Sequence, residues 1–244
     1  TTIMNWYANW FDSNYYHILY KNRDQKEAEY FIDNLIKKLK IIKGNKLIDI
    51  ACGKGRHAIY FNKKGLNVVA VDLSPSSINF ANLNTKMANL KFAIHDMRDV
   101  YKNNYFDIAT NLFTSFGYFE NEDDEQKAIN SISKNLKKDG ILVVDFMNTK
   151  KVISNLVLKE KKEIDGITFY IKRSTKNNYI IKDIEIIDKF KEYQYQEKVK
   201  ALTLKCFSKL ISNAGLKIIN IFGNYALDDF NVNSSERLIL ICKK

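Results

Sequence analysis

The residues able to do chemistry gather at the ends of short apolar runs. The first run, Leu47-Ile48-Asp49-Ile50, leads into Ala51-Cys52-Gly53-Lys54-Gly55-Arg56-His57. Two glycines one residue apart let the backbone bend and approach a ligand with no side chain in the way. A helix opening behind them offers free N–H groups to an electronegative ligand. The second run ends at Asp72, where a carboxylate can take two hydrogen bonds from a ribose diol and disfavours a phosphorylated ribose. The third ends in His95-Asp96-Met97-Arg98, with Asp96 placed to accept from an adenine amino group. One acid at such a place is ordinarily a cap or a solvated side chain. Acids at successive strand ends point instead to the crevice where open α/β sheets bind ligands.

The elements that must position these residues follow from the pattern. Residues 46–50, 67–72, 91–95, 106–112 and 141–146 are short apolar runs rich in β-branched residues. Helical periodicity fills 26–40, 55–64, 76–88 and 123–137. Strands alternating with helices of this length predict a parallel sheet covered on both faces. Gly140 is expected at the C′ position of the fourth helix, and Pro75 in the first turn of the helix after the second strand. Residues 156–203 read differently. Asp165-Gly166 and Asn177-Asn178 are hairpin signals between alternating runs, so three or four antiparallel strands are expected there. A helix at 204–213 and strands at 216–223 and 235–242 close the chain.

Three parts are therefore expected: an N-terminal segment 1–25, an α/β domain of residues 26–150 and 203–244, and an antiparallel insertion at 151–202. The first holds Trp6, Tyr7, Trp10, Phe11, Tyr15, Tyr16 and Tyr20, and reads equally as a clasp on the domain or a lid over a ligand.

Composition narrows the classes. The chain has 244 residues, 45% hydrophobic and 27% charged, the profile of a packed globular protein. No apolar run is long enough to span a bilayer, and residues 1–20 lack the basic-then-apolar order of a signal peptide. Cys52, Cys206 and Cys242 form no CxxC, which predicts a reducing, cytoplasmic setting and no structural metal. The net charge of +11 is spread along the chain in short lysine pairs. Abundant Lys, Asn and Ile with a single proline is a drift of composition rather than a nucleic-acid footprint.

The motifs, taken together, resemble the class I S-adenosylmethionine-dependent methyltransferases, over roughly residues 41–150 and with the pattern continuing to the C-terminus. The resemblance implies a Rossmann-like fold with a seven-stranded, mostly parallel sheet, helices on both faces, and a reversed strand near the end of the chain. It implies S-adenosylmethionine as cofactor and S-adenosylhomocysteine as product; no metal is expected, since the sequence shows no His-rich or carboxylate cluster, although some members of the family use one. It places the cofactor on Asp49, Ala51, Cys52, Gly53 and Gly55, its ribose on Asp72, its adenine on Leu73, Asp96 and Met97, and Asn111 at the transfer site. The segment Asn111–Phe119 and the hairpin insertion are similar to those of small-molecule methyltransferases. For the acceptor, the candidates are Tyr16, Phe113, Tyr118, Arg173 and Tyr225, with Tyr15 a further tyrosine of the same kind. Each reads as well as an ordinary half-buried side chain. Arg56 and Arg98 face the same sheet end and either meet an anionic group or pair with Asp. His57 and His95 are weak candidates for a general base, and Arg237 reads as structural.

The expected reaction is in-line methyl transfer to an N or O nucleophile of a small molecule, in a monomer or homodimer away from membranes. DNA bases are unlikely acceptors. Pro75 is the only proline, so the Pro-Pro motif of base amino-methylation and the Pro-Cys nucleophile of cytosine methylation are both absent. Two alternatives remain at this point: a nicotinamide-dependent oxidoreductase, since Ala58 is tolerated at the third place of G-x-G-x-x-G, and an RNA-directed methyltransferase using the basic surface.

Overall fold

The computed structural model describes residues 6–21 and 25–244, with the side chains of Trp6, Tyr7, Ala8 and Glu122 outside that description. Seven strands form the main sheet. They are β1 (Lys46–Ile50), β2 (Asn67–Asp72), β3 (Leu90–Ile94), β4 (Phe106–Asn111), β5 (Leu136–Met147), β10 (Lys217–Phe222) and β11 (Arg237–Lys243), in the order β10-β11-β5-β4-β1-β2-β3. Neighbours run parallel from β3 to β5, while β11 lies antiparallel to both β5 and β10. The strand order reverses between β1–β2–β3 on one side and β4–β5 on the other, while the strands stay parallel. That switch opens a crevice at the carboxyl ends of the strands.

The strands are apolar on both sides because both faces are covered. Helices α3 (Gln25–Leu39), α4 (Arg56–Lys63) and α5 (Pro75–Asn84) bury Phe31, Ile32, Leu35, Phe61 and Ile78 on one face. Helices α6 (Glu122–Asn135) and α8 (Leu204–Asn213) bury Ile129, Ile132, Phe207 and Ile211 on the other. Ser74 caps α5 by accepting from the Ser77 N–H at 3.1 Å, with Pro75 in the first turn as expected.

A second sheet runs β6 (Lys159–Ile164), β7 (Ile167–Lys176), β8 (Tyr179–Asp188) and β9 (Lys191–Lys200), all antiparallel. Its first two turns carry positive φ at both central residues, 54° and 76° at Asp165-Gly166 and 50° and 63° at Asn177-Asn178. Such turns match the strand twist. Two short helices, α1 (Trp6–Phe11) and α2 (Asn14–Leu19), lie against this sheet, and Trp10 and Leu19 join Phe169, Ile171, Ile184 and Ile186 in a third apolar cluster.

Three features differ from expectation. The fourth large helix ends at Asn135, and β5 begins at once, so Gly140 is not its C′ residue. The left-handed position is Asp139, with φ 64°, inside a bend of β5. The bend lets Lys244 N–H donate to the Gly140 carbonyl at 3.0 Å and tie down the C-terminus. A short helix α7 (Thr149–Ser154), unforeseen in the sequence, follows β5. The N-terminal aromatic segment is helical, because its aromatics meet an apolar sheet face rather than solvent.

Candidate active site

The turn after β1 is built from alternating left-handed residues: Ala51 at φ 59°, Gly53 at 54° and Gly55 at 85°. The two glycines have different reasons. A Cβ on Gly55 would stand 2.3 Å from the Phe92 ring, so this glycine makes room for the core. A Cβ on Gly53 would meet no atom within 4 Å, so this glycine faces open space. Asp72 fastens the turn. Its Oδ2 accepts from the Gly53 N–H at 2.7 Å, and its Oδ1 accepts from the Ser74 N–H at 2.8 Å. Burial pushes the Asp72 carboxyl up from the usual range. Each of its oxygens keeps a lone pair for a further donor.

The open space before Gly53 belongs to a cavity of about 830 Å³. One end is walled by Gly53, Asp72, Leu73, Asp96 and Met97 from the sheet's carboxyl edge. The other end is walled by Arg173, Ile180, Lys182, Glu197 and Val199 of the inserted sheet. Residues of the loop after β4, Phe113 to Phe119, form the middle. Phe11, Tyr16 and Tyr20 close over it from α1 and α2.

The N-terminal helices are bonded to both walls. Asp12 Oδ1 accepts from the Ser74 hydroxyl at 2.6 Å and the Ser76 N–H at 2.9 Å, at the start of α5. Trp10 Nε1 donates to Glu197 Oε1 at 2.7 Å on the inserted sheet. Phe11 meets Tyr118 edge-on, ring centres 5.0 Å apart.

Of the cofactor candidates, Ala51, Cys52, Gly53, Asp72, Leu73, Asp96 and Met97 line the cavity. Asp49, Gly55 and Asn111 do not; they stand behind it. Asp49 is 2% exposed, its Oδ1 accepts from the Thr110 hydroxyl at 2.8 Å, and its Oδ2 has no partner. Burial pushes its pKa up to about 7, and the Asp72 charge adds to the shift. Asn111 donates to the carbonyls of Ile50 at 3.1 Å and Ser115 at 3.2 Å, bracing the two strand ends. Asp96 is already engaged. Arg98 reaches its Oδ2 through Nη2 at 2.6 Å and its Oδ1 through Nε at 3.0 Å, and the Arg98 N–H donates at 2.9 Å. Those contacts with Arg98 hold its carboxyl low against the opposing effect of burial. Arg98 Nε also reaches Oδ2 at 3.1 Å, so each oxygen of Asp96 receives two contacts from Arg98.

Among the acceptor candidates, Tyr16, Phe113, Tyr118 and Arg173 line the cavity, and Tyr225 does not. The Tyr225 ring stacks on Phe31 at 4.4 Å, and its hydroxyl donates to Asp145 Oδ2 at 3.0 Å. Its place in the chain, just after β10, gave no sign that the loop folds back under the sheet edge. Tyr15 also points elsewhere, donating to Asp188 Oδ2 at 3.0 Å.

The residues that sequence reasoning missed are Asp145, Lys182 and Glu197. Asp145 is 1% exposed and organises the middle of the cavity. Its Oδ2 accepts from the Phe113 N–H at 2.8 Å, and its carbonyl accepts from the Thr114 N–H at 2.9 Å. Phe113 and Thr114 are both left-handed, at φ 60° and 59°. A bulky and a β-branched residue in that region are strained and need outside support. An acid inside the run ILVVDF was a signal available in the sequence, since a buried carboxylate needs partners.

No group of three or more His, Cys, Asp and Glu side chains is disposed to hold a metal among the described residues. Two desolvated carboxylates mark this end: Asp72 lines the cavity and Asp49 stands behind the turn, and neither is paired with a cation among the described residues.

Comparison with known proteins decides the family. The pattern of the methyltransferase domain family matches residues 41–212. The chain belongs to this family. It is an S-adenosylmethionine-dependent methyltransferase of class I, with the Rossmann-like architecture the motifs implied. A glycine/sarcosine N-methyltransferase of Parasynechococcus marenigrum is 25% identical over 237 residues, covering 88% of this chain and 78% of that protein. The structure of an S-adenosylmethionine-dependent methyltransferase from Clostridium acetobutylicum superimposes with a TM-score of 0.79 at 21% identity, covering 94% and 95%. That of the amino pentose methyltransferase CalS10 from Micromonospora echinaspora, with S-adenosylmethionine bound, gives 0.71 at 16% identity, covering 95% and 97%. The nicotinamide-dependent and RNA-directed alternatives find no support in this methyltransferase's relatives.

Proposed function

We propose that this methyltransferase transfers a methyl group to an amine nitrogen of a small molecule held between the inserted sheet and the N-terminal helices. One observation carries the reading: one continuous, partly open cavity runs from the glycine turn to the inserted sheet. Its size, about 830 Å³, suits a cofactor and a small acceptor together. The glycine/sarcosine N-methyltransferase among its relatives supports nitrogen as the attacking atom.

In this reading Gly53 lets the cofactor approach the backbone, Asp72 accepts from its ribose, and Leu73 and Met97 flank its adenine. Asp96, its carboxylate oriented by Arg98, borders the adenine end of the cavity. Asp49, Gly55 and Asn111 hold the turn and the strand ends from behind. S-adenosylmethionine supplies a methyl already activated on a positively charged sulfur. The protein's part is alignment and exclusion of water, and alignment alone is worth on the order of 7–11 kcal/mol. Phe113, Tyr118 and Tyr16 shape the passage between the two ends, and α1 with α2 serves as the lid. An amine attacks only when neutral. Of the two histidines expected as candidates, His57 and His95 both line the cavity, but His95 Nε2 is held at 2.9 Å by the Asp99 carbonyl, so His57, with His17 beside it in the cavity lining, is the group suited to hold its proton.

The test is methyl transfer from labelled S-adenosylmethionine to a panel of small amines and matched alcohols. Label on amines but not on alcohols is expected. Label confined to alcohols would overturn the choice of nitrogen.

A further inference from the structure

One face of the inserted sheet is apolar, with Ile167, Phe169 and Ile171 on β7 and Ile184 and Ile186 on β8. A single cross-strand row interrupts it where the face enters the cavity. Arg173 stands directly opposite Lys182, and Lys182 directly opposite Glu197. All three line the cavity, and their side chains are only 18%, 19% and 12% exposed.

Two cations side by side on neighbouring strands repel one another, and the repulsion grows as water is withdrawn. Carboxylates stand at the outer flanks of the pair only. Arg173 Nη2 donates to Glu160 Oε2 at 2.5 Å and Nη1 to the Val157 carbonyl at 3.1 Å. Lys182 Nζ meets Glu197 Oε2 at 2.7 Å and also the Tyr20 hydroxyl. Glu197 Oε1 is taken by Trp10 Nε1 and the Tyr20 hydroxyl, each at 2.7 Å. A guanidinium has five N–H groups and an ammonium three, so donors remain on both cations.

We propose that Arg173 and Lys182 form an oxyanion subsite for the methyl acceptor, so that the substrate is a small amine bearing a carboxylate or phosphate. The inference rests on the reading that this end of the cavity holds the acceptor. An oxyanion between the two cations relieves their repulsion and takes up their remaining donors with charge-assisted hydrogen bonds. It also sets the distance between the acceptor's anchored end and its reacting end. Because Glu197 holds both Lys182 and the lid residues Trp10 and Tyr20, an occupied subsite is sensed by the elements that close the cavity.

The test uses inorganic phosphate and acetate as probes, each titrated against chloride at equal ionic strength. Binding is followed by thermal shift and calorimetry, with and without saturating S-adenosylhomocysteine. Saturable binding of at least one oxyanion is expected. A response to phosphate alone marks a phosphorylated acceptor, and a response to acetate alone a carboxylate. Arg173→Gln and Lys182→Gln should each bind the responding probe about tenfold more weakly, the loss of a charge-assisted contact. Their affinity for S-adenosylhomocysteine should not change. Arg173→Lys should retain part of the oxyanion binding. If neither oxyanion outperforms chloride, or if both Gln variants bind it as the wild type does, the subsite does not exist. Failure of S-adenosylhomocysteine to bind would count against the cofactor assignment instead, and the titration without it still decides the subsite.

Discussion

Arg237 on β11 donates through Nε to Asp145 Oδ1 on β5 at 2.8 Å, and this pair holds the strained turn at the centre of the cavity. Arg237 also reaches the Thr114 hydroxyl through Nη2 at 3.0 Å, while Asp145 takes the Phe113 and Thr114 N–H groups. The reversed strand that completes the sheet therefore also braces the loop after β4. A merely structural Arg237, as the sequence suggested, and a role in shaping the site are one and the same arrangement.

Asp145→Asn leaves the buried Arg237 guanidinium without its ion pair. Removing one partner of such a pair costs about 3–5 kcal/mol, and the turn relaxes with it. Thermal denaturation should show a clear drop in Tm, and kcat should fall with it. A variant of wild-type Tm would show that the pair does not support the turn.

Asp72→Ala removes both the anchor of the Gly53 turn and an acceptor for the ribose. Loss of hydrogen bonds to a charged acceptor should weaken S-adenosylhomocysteine binding by about 1.5–3 kcal/mol. Calorimetry reads this directly, and unchanged affinity would remove Asp72 from the site.

The two glycines should separate stability from binding. Gly55→Ala drives a methyl into the Phe92 ring and should cost on the order of 1–3 kcal/mol of stability. Gly53→Ala meets no atom, so its cost to stability is only the strain of a side chain at φ 54°, but it places a methyl where the cofactor would approach. It should lose cofactor affinity out of proportion to its Tm. Equal effects of the two substitutions on binding would contradict the distinction.

Asp49 gives the ligand-free protein an inverted pH response. Its folded pKa of about 7 lies above the ordinary aspartate value of 3.8, so the folded state holds this proton more tightly than the unfolded chain. Its contribution is therefore full below pH ~4 and is lost as pH rises to ~7. Asp49→Asn should gain stability over the wild type across that window, and not below it. Denaturant titrations at pH 4, 5.5 and 7.5 check the trend; a difference independent of pH would rule it out.

A cation in the cavity should reverse that preference by favouring ionised Asp49. The affinity for S-adenosylmethionine, relative to S-adenosylhomocysteine, should rise between pH 6 and 8, because only the former carries the sulfonium. The comparison cancels the titration of the amino group that both share. A ratio constant with pH in calorimetry would place the sulfonium away from Asp49.

Much of the molecule was legible from local signals. The strands around 46–50, 67–72 and 106–112, the helix Leu204–Asn213 and the Asp165-Gly166 and Asn177-Asn178 turns depend on side-chain periodicity and on residues that tolerate positive φ. Both are properties of neighbours in sequence. Gly53, Asp72 and Met97 could be expected at the cavity from the sequence because each lies at, or just beyond, the carboxyl end of its strand on the same edge. What tertiary structure alone decided was which side chains are spent on the protein itself. Asp96 binds Arg98, Tyr225 binds Asp145, and Asn111 braces two strand ends, although all three occupied plausible places in the sequence. The opposite also occurred: Lys182 and Glu197 looked like ordinary members of an alternating strand, and pairing placed them beside Arg173 at the cavity. Hydrogen bonds and ion pairs join residues far apart in the chain, so their partners are set by strand order and register, and those exist only once the sheets have formed.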